Sequence, residues 1–115
     1  MLSRPRWEAE VRLMNNVFPA FEPFAVPDVC AGFRGWLRGK RTGRLYGVVI
    51  RASIARYPSE EPGVYMEPRP EPHHWILDGR LCYQRNGHVW NPAQDTFAQA
   101  LVIAAKYVDE FDGRG

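Results

Sequence analysis

Residues 45–54, LYGVVIRASI, alternate between two kinds of side chain and so decide the fold class. The even positions are all apolar or aromatic: Tyr46, Val48, Ile50, Ala52 and Ile54. The odd positions turn polar towards the end of the stretch, at Arg51 and Ser53. Alternation with a period of two, together with β-branched enrichment, predicts a strand with one buried face.

Shorter apolar segments on either side predict partner strands. Phe33–Leu37 precedes a turn with two glycines at 39–43, and Val64–Met66 follows the strand terminator Tyr57-Pro58. These connections are too short for a parallel crossover, so we expect an antiparallel meander of at least three strands. Prolines at 19, 23 and 27 predict an irregular connection before the sheet, with Phe21 and Phe24 placed on the core.

Two amphipathic helices are predicted towards the ends of the chain, over residues 4–18 and 96–111. Ser3 and Pro5 are typical of a helix start, and Asp95 is the expected cap of the second helix. The apolar stripe of the first helix is Trp7, Val11, Met14 and Phe18, and that of the second is Phe97, Leu101, Ala104, Ala105, Val108 and Phe111.

The order of these elements predicts an α+β fold. An N-terminal helix precedes the meander, and a long irregular segment at 67–94 precedes the C-terminal helix. The 115 residues are 45% hydrophobic, which is enough for one core, and no linker divides them. We therefore expect a single domain over residues 1–115.

Composition excludes several classes of protein. No apolar run approaches the roughly 20 residues that span a bilayer, and the charged N-terminus lacks the apolar region of a secretory signal. Two cysteines, Cys30 and Cys82, are too few for a disulfide framework, so we expect a cytoplasmic protein with no membrane partner. A net charge of +2 gives no case for nucleic-acid binding.

The segment 67–94 holds the residues that could carry chemistry, and three interpretations of Cys82 are open. It is a buried thiol, a zinc ligand with nearby histidines, or a nucleophile. Zinc is disfavoured because the adjacent His73 and His74 would point opposite ways in extended chain, and no paired ligand spacing is present. We expect no metal and no other cofactor. A thiolate attacks acyl carbons and thioesters well.

Four short motifs in order resemble those of ubiquitin-conjugating enzymes. Residues 57–62, YPSEEP, are similar to the YPxxPP segment, and residues 73–75, HHW, stand where that family has HPN. Residues 79–82, GRLC, resemble the family's G-x-I-C, which contains the catalytic cysteine, and WNP follows eight residues after Cys82. The motif residues outside the chemistry are Tyr57, Pro58, Pro62, Trp90, Asn91 and Pro92.

The resemblance implies a UBC-like fold in which the segment after Pro68 is an active-site flap. Cys82 would carry an activated protein C-terminus as a thioester, and a lysine of a target protein would attack it to form an isopeptide bond. Arg6 and Arg12 of the first helix would face an activating enzyme. Small bacterial members in CBASS-type anti-phage operons imply a cGAS-like nucleotidyltransferase as cargo, with a ubiquitin-like protein as the other possibility.

One departure from the family pattern bears on catalysis. The asparagine of HPN, which supports the oxyanion and the flap in that family, is absent, and Trp75 takes its approximate place. Losing one oxyanion donor typically costs about 3–4 kcal/mol of transition-state stabilisation. We expect His74 or His73 to replace it, either as an oxyanion donor or by holding the flap. The alternative function is a catalytically silent UBC-like binding module.

A second departure concerns the acidic residue that similar enzymes place near the incoming lysine. Asp109 or Asp112 could stand in for it by distance along the chain. The alternative for both is a carboxylate on a solvated helix end.

Overall fold

The computed structural model describes residues 1–67, 76–77, 80–81 and 89–113, with only the backbone described at 76–77, 80–81 and 111. Two helices, α1 (Arg4–Val17) and α2 (Phe97–Phe111), share one core with an antiparallel sheet. The predicted α+β order of helix, meander and helix is confirmed. Neither helix has the length and apolar run needed to cross a membrane, among the residues described.

The sheet is a meander of four strands in chain order, continued by two very short ones. The strands are β1 (Glu22–Val26), β2 (Cys30–Arg38), β3 (Leu45–Ser53), β4 (Gly63–Glu67), β5 (Ile76–Leu77) and β6 (Arg80–Leu81). Each of the first four pairs antiparallel with the next, and the spatial order across the sheet is β1-β2-β3-β4-β6-β5. The predicted antiparallel connections are therefore correct.

The alternation in β3 sets which face of the sheet is buried. Val48 and Ile50 are 1% and 0% exposed, whereas Val49 between them is 36% exposed. Val49 lies opposite Arg34 on β2 and Tyr65 on β4, so these three share the outer face. The predicted division of residues 45–54 into a core face and an outer face is confirmed.

The irregular connection expected at residues 18–27 is wrong, because β1 occupies half of it. Pro23 lies opposite Phe33, but β1 is at the edge of the sheet, where a residue without an N–H is tolerated. Phe21 is 4% exposed and belongs to the core as predicted. Phe24 is only half-buried and is not part of the core cluster.

The start of α1 follows the sequence prediction. The Ser3 hydroxyl accepts a hydrogen bond from the Arg6 N–H at 3.2 Å, and Pro5 lies in the first turn, where its missing N–H costs nothing. Met14 is fully buried, and Trp7, Val11 and Phe18 pack against the core.

The start of α2 differs from the prediction in its cap. The Thr96 hydroxyl accepts the Gln99 N–H at 3.1 Å, so Thr96 is the N-cap. Asp95 does not cap the helix, because its carboxylate accepts the Asn91 N–H at 2.7 Å within the preceding turn. The buried surface of α2 is also wider than the predicted stripe, because the helix contacts both α1 and the sheet. It adds Ala98, Ala100, Ile103 and Tyr107.

The C-terminal end of α2 is tied to the β2–β3 turn by Asp112. This carboxylate is 1% exposed and accepts hydrogen bonds from the Thr42 N–H, the Thr42 hydroxyl and the Tyr46 hydroxyl, each at 2.8 Å. A side chain at Gly39 would collide with it, which explains the glycine there. The alternative of a solvated carboxylate is therefore wrong for Asp112, whereas Asp109 forms a surface ion pair with Lys40 at 3.4 Å.

Asp112→Asn should destabilise the protein in a pH-dependent way. The backbone N–H of Thr42, followed by the hydroxyls of Thr42 and Tyr46, lowers the pKa of Asp112 against the opposing effect of burial. A lowered folded-state pKa contributes stability above the unfolded value of about 4, and this contribution is lost as the pH falls through the folded value. The difference in unfolding free energy between wild type and variant, measured in urea, should shrink below about pH 4.

Asp109→Asn is the matched control on the same helix, and its difference should stay within about 0.5 kcal/mol at every pH. A difference in unfolding free energy between wild type and Asp112→Asn that stays constant below about pH 4 would contradict the lowered pKa of Asp112.

Candidate functional site

The structure describes part of the predicted site. Tyr57, Pro58, Pro62 and the 90–92 motif fall within the described residues, whereas Cys82, His73 and His74 lie outside them. The described chain reaches Leu81, which precedes Cys82 in sequence and pairs with Ile76. Arg80 pairs with Tyr65 of β4, so the described residues just before Cys82 in sequence lie beside β4.

Two of the sequence motifs meet in space. The Trp90 Nε1–H donates a hydrogen bond to the Pro58 carbonyl at 2.8 Å, and the two residues are 32 apart in sequence. The Tyr57 ring is fully buried, stacks on Phe97 with 4.7 Å between centroids, and lies 6.0 Å from the Trp90 ring. The peptide bond between Tyr57 and Pro58 is cis. The contacts of Tyr57 and Pro58 with Trp90 therefore bring the two motifs together.

The Asn91-Pro92 motif forms the turn that leads into α2. The Asn91 side-chain oxygen accepts the Ala93 N–H at 3.0 Å, and its backbone carbonyl accepts the N–H groups of Gln94 and Asp95. The Asp95 carboxylate accepts the Asn91 N–H, so Asn91 and Asp95 are joined by hydrogen bonds in both directions. Pro62, the other predicted motif residue, is buried just before β4.

A buried carboxylate that no motif contains holds these parts together. Glu10 of α1 is 2% exposed, and its Oε1 accepts the Phe97 N–H at 3.0 Å. Its Oε2 accepts from the Arg6 Nε–H at 3.0 Å and from the Tyr57 hydroxyl. The first N–H groups of a helix have no partner inside it, and the helix dipole favours negative charge there, so Glu10 also stabilises the start of α2.

Arg6 extends the same network to the turn before α2. Its guanidinium donates to the Asp95 carbonyl at 2.8 Å, to the Tyr57 hydroxyl at 3.3 Å and to the Pro92 carbonyl at 3.4 Å. Arg6 therefore has a role inside the chain, with its side chain 26% exposed. Arg12 lies on the exposed face of α1, where its contact with an activating enzyme stays a prediction.

The pKa shifts of Tyr57 and Arg6 keep both side chains in the protonated forms that donate hydrogen bonds. Burial is the largest cause that raises the pKa of Tyr57, and the bond to Glu10 raises it further, so the phenol remains a donor. Burial opposes the charge of Arg6, but its bonds to Glu10 and Tyr57 outweigh burial and raise its pKa. A buried carboxylate needs such partners, because unpaired burial of its charge is expensive.

The predicted apolar stripe of α1 leaves out Glu10, so the sequence analysis missed this network. One signal was available: Glu10 comes three residues after Trp7 and four before Met14, which places it on the apolar stripe. A carboxylate at such a position must find buried partners. Arg6 at i−4 supplies one of them, and the other two, Tyr57 and Phe97, are distant in sequence.

The outer face of the sheet carries a separate shallow groove. It has a volume of about 550 Å³ and is lined by residues that include Trp36, Gly47, Val49, Tyr65 and Glu67. The Trp36 ring leans over Gly47, and the Arg51 guanidinium lies 4.9 Å from the centre of the Tyr65 ring. Among the described residues, none of the predicted site residues lines this groove.

The described residues hold no group of three or more His, Cys, Asp or Glu that could bind a metal ion. His73, His74, Cys82 and His88 lie outside the described residues. Comparison of the chain with protein-family models, with curated proteins and with solved structures gives no match.

Tyr57→Phe should lower the unfolding free energy by about 1–3 kcal/mol, because the buried Glu10 carboxylate loses one of its three donors while the ring packing is kept. Urea unfolding at pH 7 measures this difference. The matched control is Tyr65→Phe, whose ring lies on the outer face and keeps its contact with Arg51; we expect a change within about 0.5 kcal/mol. Equal effects of the two changes would show that the Glu10 bond contributes nothing.

Proposed function

We propose that this protein is a ubiquitin-conjugating-like enzyme that carries an activated protein C-terminus on Cys82 and transfers it to a lysine of a target protein. The observation that carries the proposal is the contact between Trp90 and Pro58. These residues belong to the motifs that precede and follow Cys82 in sequence. A site like that of the ubiquitin-conjugating enzymes needs the two motifs close together. The helix, meander and helix order supports the same interpretation.

The proposed chemistry is two acyl transfers in succession. The Cys82 thiolate attacks the acyl carbon of a cargo that is already activated as a thioester, and the previous thiol leaves. The amine of a target lysine then attacks the Cys82 thioester, the C–S bond breaks and an amide bond forms. The amine proton leaves to solvent or to a nearby base, and the Cys82 thiol is regenerated.

Each step passes through a tetrahedral oxyanion, which needs a hydrogen-bond donor. The family resemblance assigns this support to an asparagine that the chain lacks, and we propose His74 or His73 in its place. An imidazole can donate from one nitrogen, and its cationic form would also lower the pKa of a neighbouring thiol.

The proposed partners follow from the resemblance to CBASS-type members of the family. The cargo would be a cGAS-like nucleotidyltransferase or a ubiquitin-like protein, and an activating enzyme would load it in the cytoplasm of a bacterium during anti-phage defence. Arg12 on the exposed face of α1 would contribute to the docking of that enzyme.

A silent UBC-like binding module is the second candidate, and the substitution of Trp75 for the HPN asparagine favours it. Such a module would use the same frame to hold a partner without forming a thioester. The two candidates differ in whether an adduct forms on Cys82.

Intact mass spectrometry after co-expression with the genomic neighbours tests the proposal. Wild type should carry a mass adduct that thiol treatment removes, because a thioester exchanges with free thiols. Cys82→Ser should carry a thiol-stable oxyester, and Cys82→Ala should carry none. The mass of the adduct identifies the cargo.

Cys30→Ser is the matched control, because Cys30 is the other cysteine and lies half-buried on β2. It should carry the same adduct as wild type. An absence of adduct in every variant, with a partner still co-purifying, would overturn the proposed transfer activity and support the silent binding module.

A further inference from the structure

We propose that the hairpin formed by β2, β3 and the turn between them binds single-stranded nucleic acid. A base stacks on the Trp36 ring, and phosphates bind the cations on either side of it. The inference goes beyond the proposed function, because it uses no residue of the segment that contains Cys82. Three observations support it: the charge of the hairpin, the exposure of Trp36 and the order of the two along β2.

The positive charge of the chain is concentrated on this hairpin. The net charge of the whole chain is only +2, but residues 29–59 contain no Asp or Glu. The two strands and their turn carry six cations, which are Arg34, Arg38, Lys40, Arg41, Arg44 and Arg51. All 13 acidic residues lie elsewhere in the chain. The composition therefore gives no sign of this basic surface, and it is local charge that decides where a polyanion binds.

The acidic side chains next to the hairpin neutralise only part of this charge. Lys40 pairs with Asp109 at 3.4 Å, and Arg34 lies 4.0 Å from Glu22, both on the surface, where ion pairs are weak. The buried Asp112 carboxylate is taken up by hydrogen bonds within the chain. The remaining cations of the hairpin form no ion pair with a described residue, and they are Arg38, Arg41, Arg44 and Arg51.

Trp36 supplies an aromatic surface in the middle of these charges. Its side chain is 65% exposed, and its ring lies against Gly47, where a larger residue would crowd it. Leu45 and Val49 are exposed on the same face, on either side of Gly47, so apolar surface extends around the ring. An exposed ring backed by the sheet is suited to stack on a base, whatever the sequence of the nucleic acid.

The cations flank the Trp36 ring along β2. Alternate residues of a strand share a face, so Arg34 and Arg38 lie on the same face as Trp36, each about 7 Å from it along the strand. Arg41 and Arg44 continue the row of charges around the turn. A ring for a base, with guanidinium groups before and after it for the phosphates, is the arrangement that binds single strands without reading their sequence.

Two carboxylates limit where the nucleic acid can lie. Glu22 of β1 and Glu67 of β4 also line the groove beside Trp36. Because like charges repel, we expect the phosphates to follow β2 and the turn, and not to cross the sheet towards β4.

Fluorescence anisotropy tests the inference directly. A labelled deoxythymidine strand of about 20 nucleotides is titrated with the 115-residue protein at about 50 mM salt. We expect a Kd of about 1–100 μM that weakens as salt is added, because bound phosphates release counterions. Trp36→Ala should weaken the single strand about tenfold and change the Kd for a duplex of the same length by less than about twofold, since the base faces of a duplex are already stacked. Trp36→Phe keeps a ring and should restore most of the binding.

The arginines are tested through the salt dependence. Arg38→Gln and Arg41→Gln should each weaken binding and reduce the slope of log K against log salt by about 0.7, because each removes one phosphate contact. Arg4→Gln is the matched control, because it removes the same charge from a side chain that is 90% exposed on α1. Its Kd should stay within about twofold of wild type.

Three results would overturn the inference. The first is unchanged anisotropy up to about 100 μM protein. The second is an equal loss of binding in Arg4→Gln and Arg41→Gln, which would show general attraction without a site. The third is a polyglutamate peptide that binds as tightly as the single strand while Trp36→Ala changes neither, which would assign the hairpin to acidic protein segments instead.

Discussion

The structure depends on one buried carboxylate that three separate parts of the chain must satisfy together. Glu10 receives hydrogen bonds from Arg6 on the same helix, from Tyr57 before β4 and from the first N–H of α2. Taking a carboxylate out of water costs several kcal/mol, and only well-placed donors repay that cost. The position of α1 therefore fixes the position of Tyr57 and of the start of α2. Apolar packing supplies most of the driving force, but this carboxylate determines the relative placement of the elements.

The contacts of this carboxylate lie on both sides, in sequence, of the segment that contains the proposed site. The interval from Pro58 to Trp90 includes β4, the short strands β5 and β6, and the predicted nucleophile Cys82. Its ends are joined by the Trp90–Pro58 hydrogen bond and held on the core by Tyr57 and Arg6. The described residues at the two ends of this interval therefore lie on one packed base, and side chains on well-packed supports keep their geometry.

The spacing of apolar residues was sufficient to predict the buried faces of β3 and α1. The alternation at Val48, Val49 and Ile50 predicted the buried face of β3, and the Trp7–Met14 spacing predicted the core side of α1. Strand β1 was missed because prolines argue against a strand in isolation, and only the edge position makes Pro23 acceptable. The buried roles of Glu10 and Asp112 were missed because the groups they bind, Phe97 and Thr42, are 87 and 70 residues away in sequence.

The most direct measurement is native-state hydrogen exchange at the Phe97 amide, compared between wild type and Glu10→Leu. This amide has no partner inside α2, whereas the Leu101 amide lies in the interior of the helix and reports on the helix as a whole. If Glu10 holds the start of α2, the exchange rate of Phe97 should rise at least about tenfold beyond any change at Leu101. Equal changes at the two amides, or unchanged protection of Phe97, would contradict the central role of Glu10.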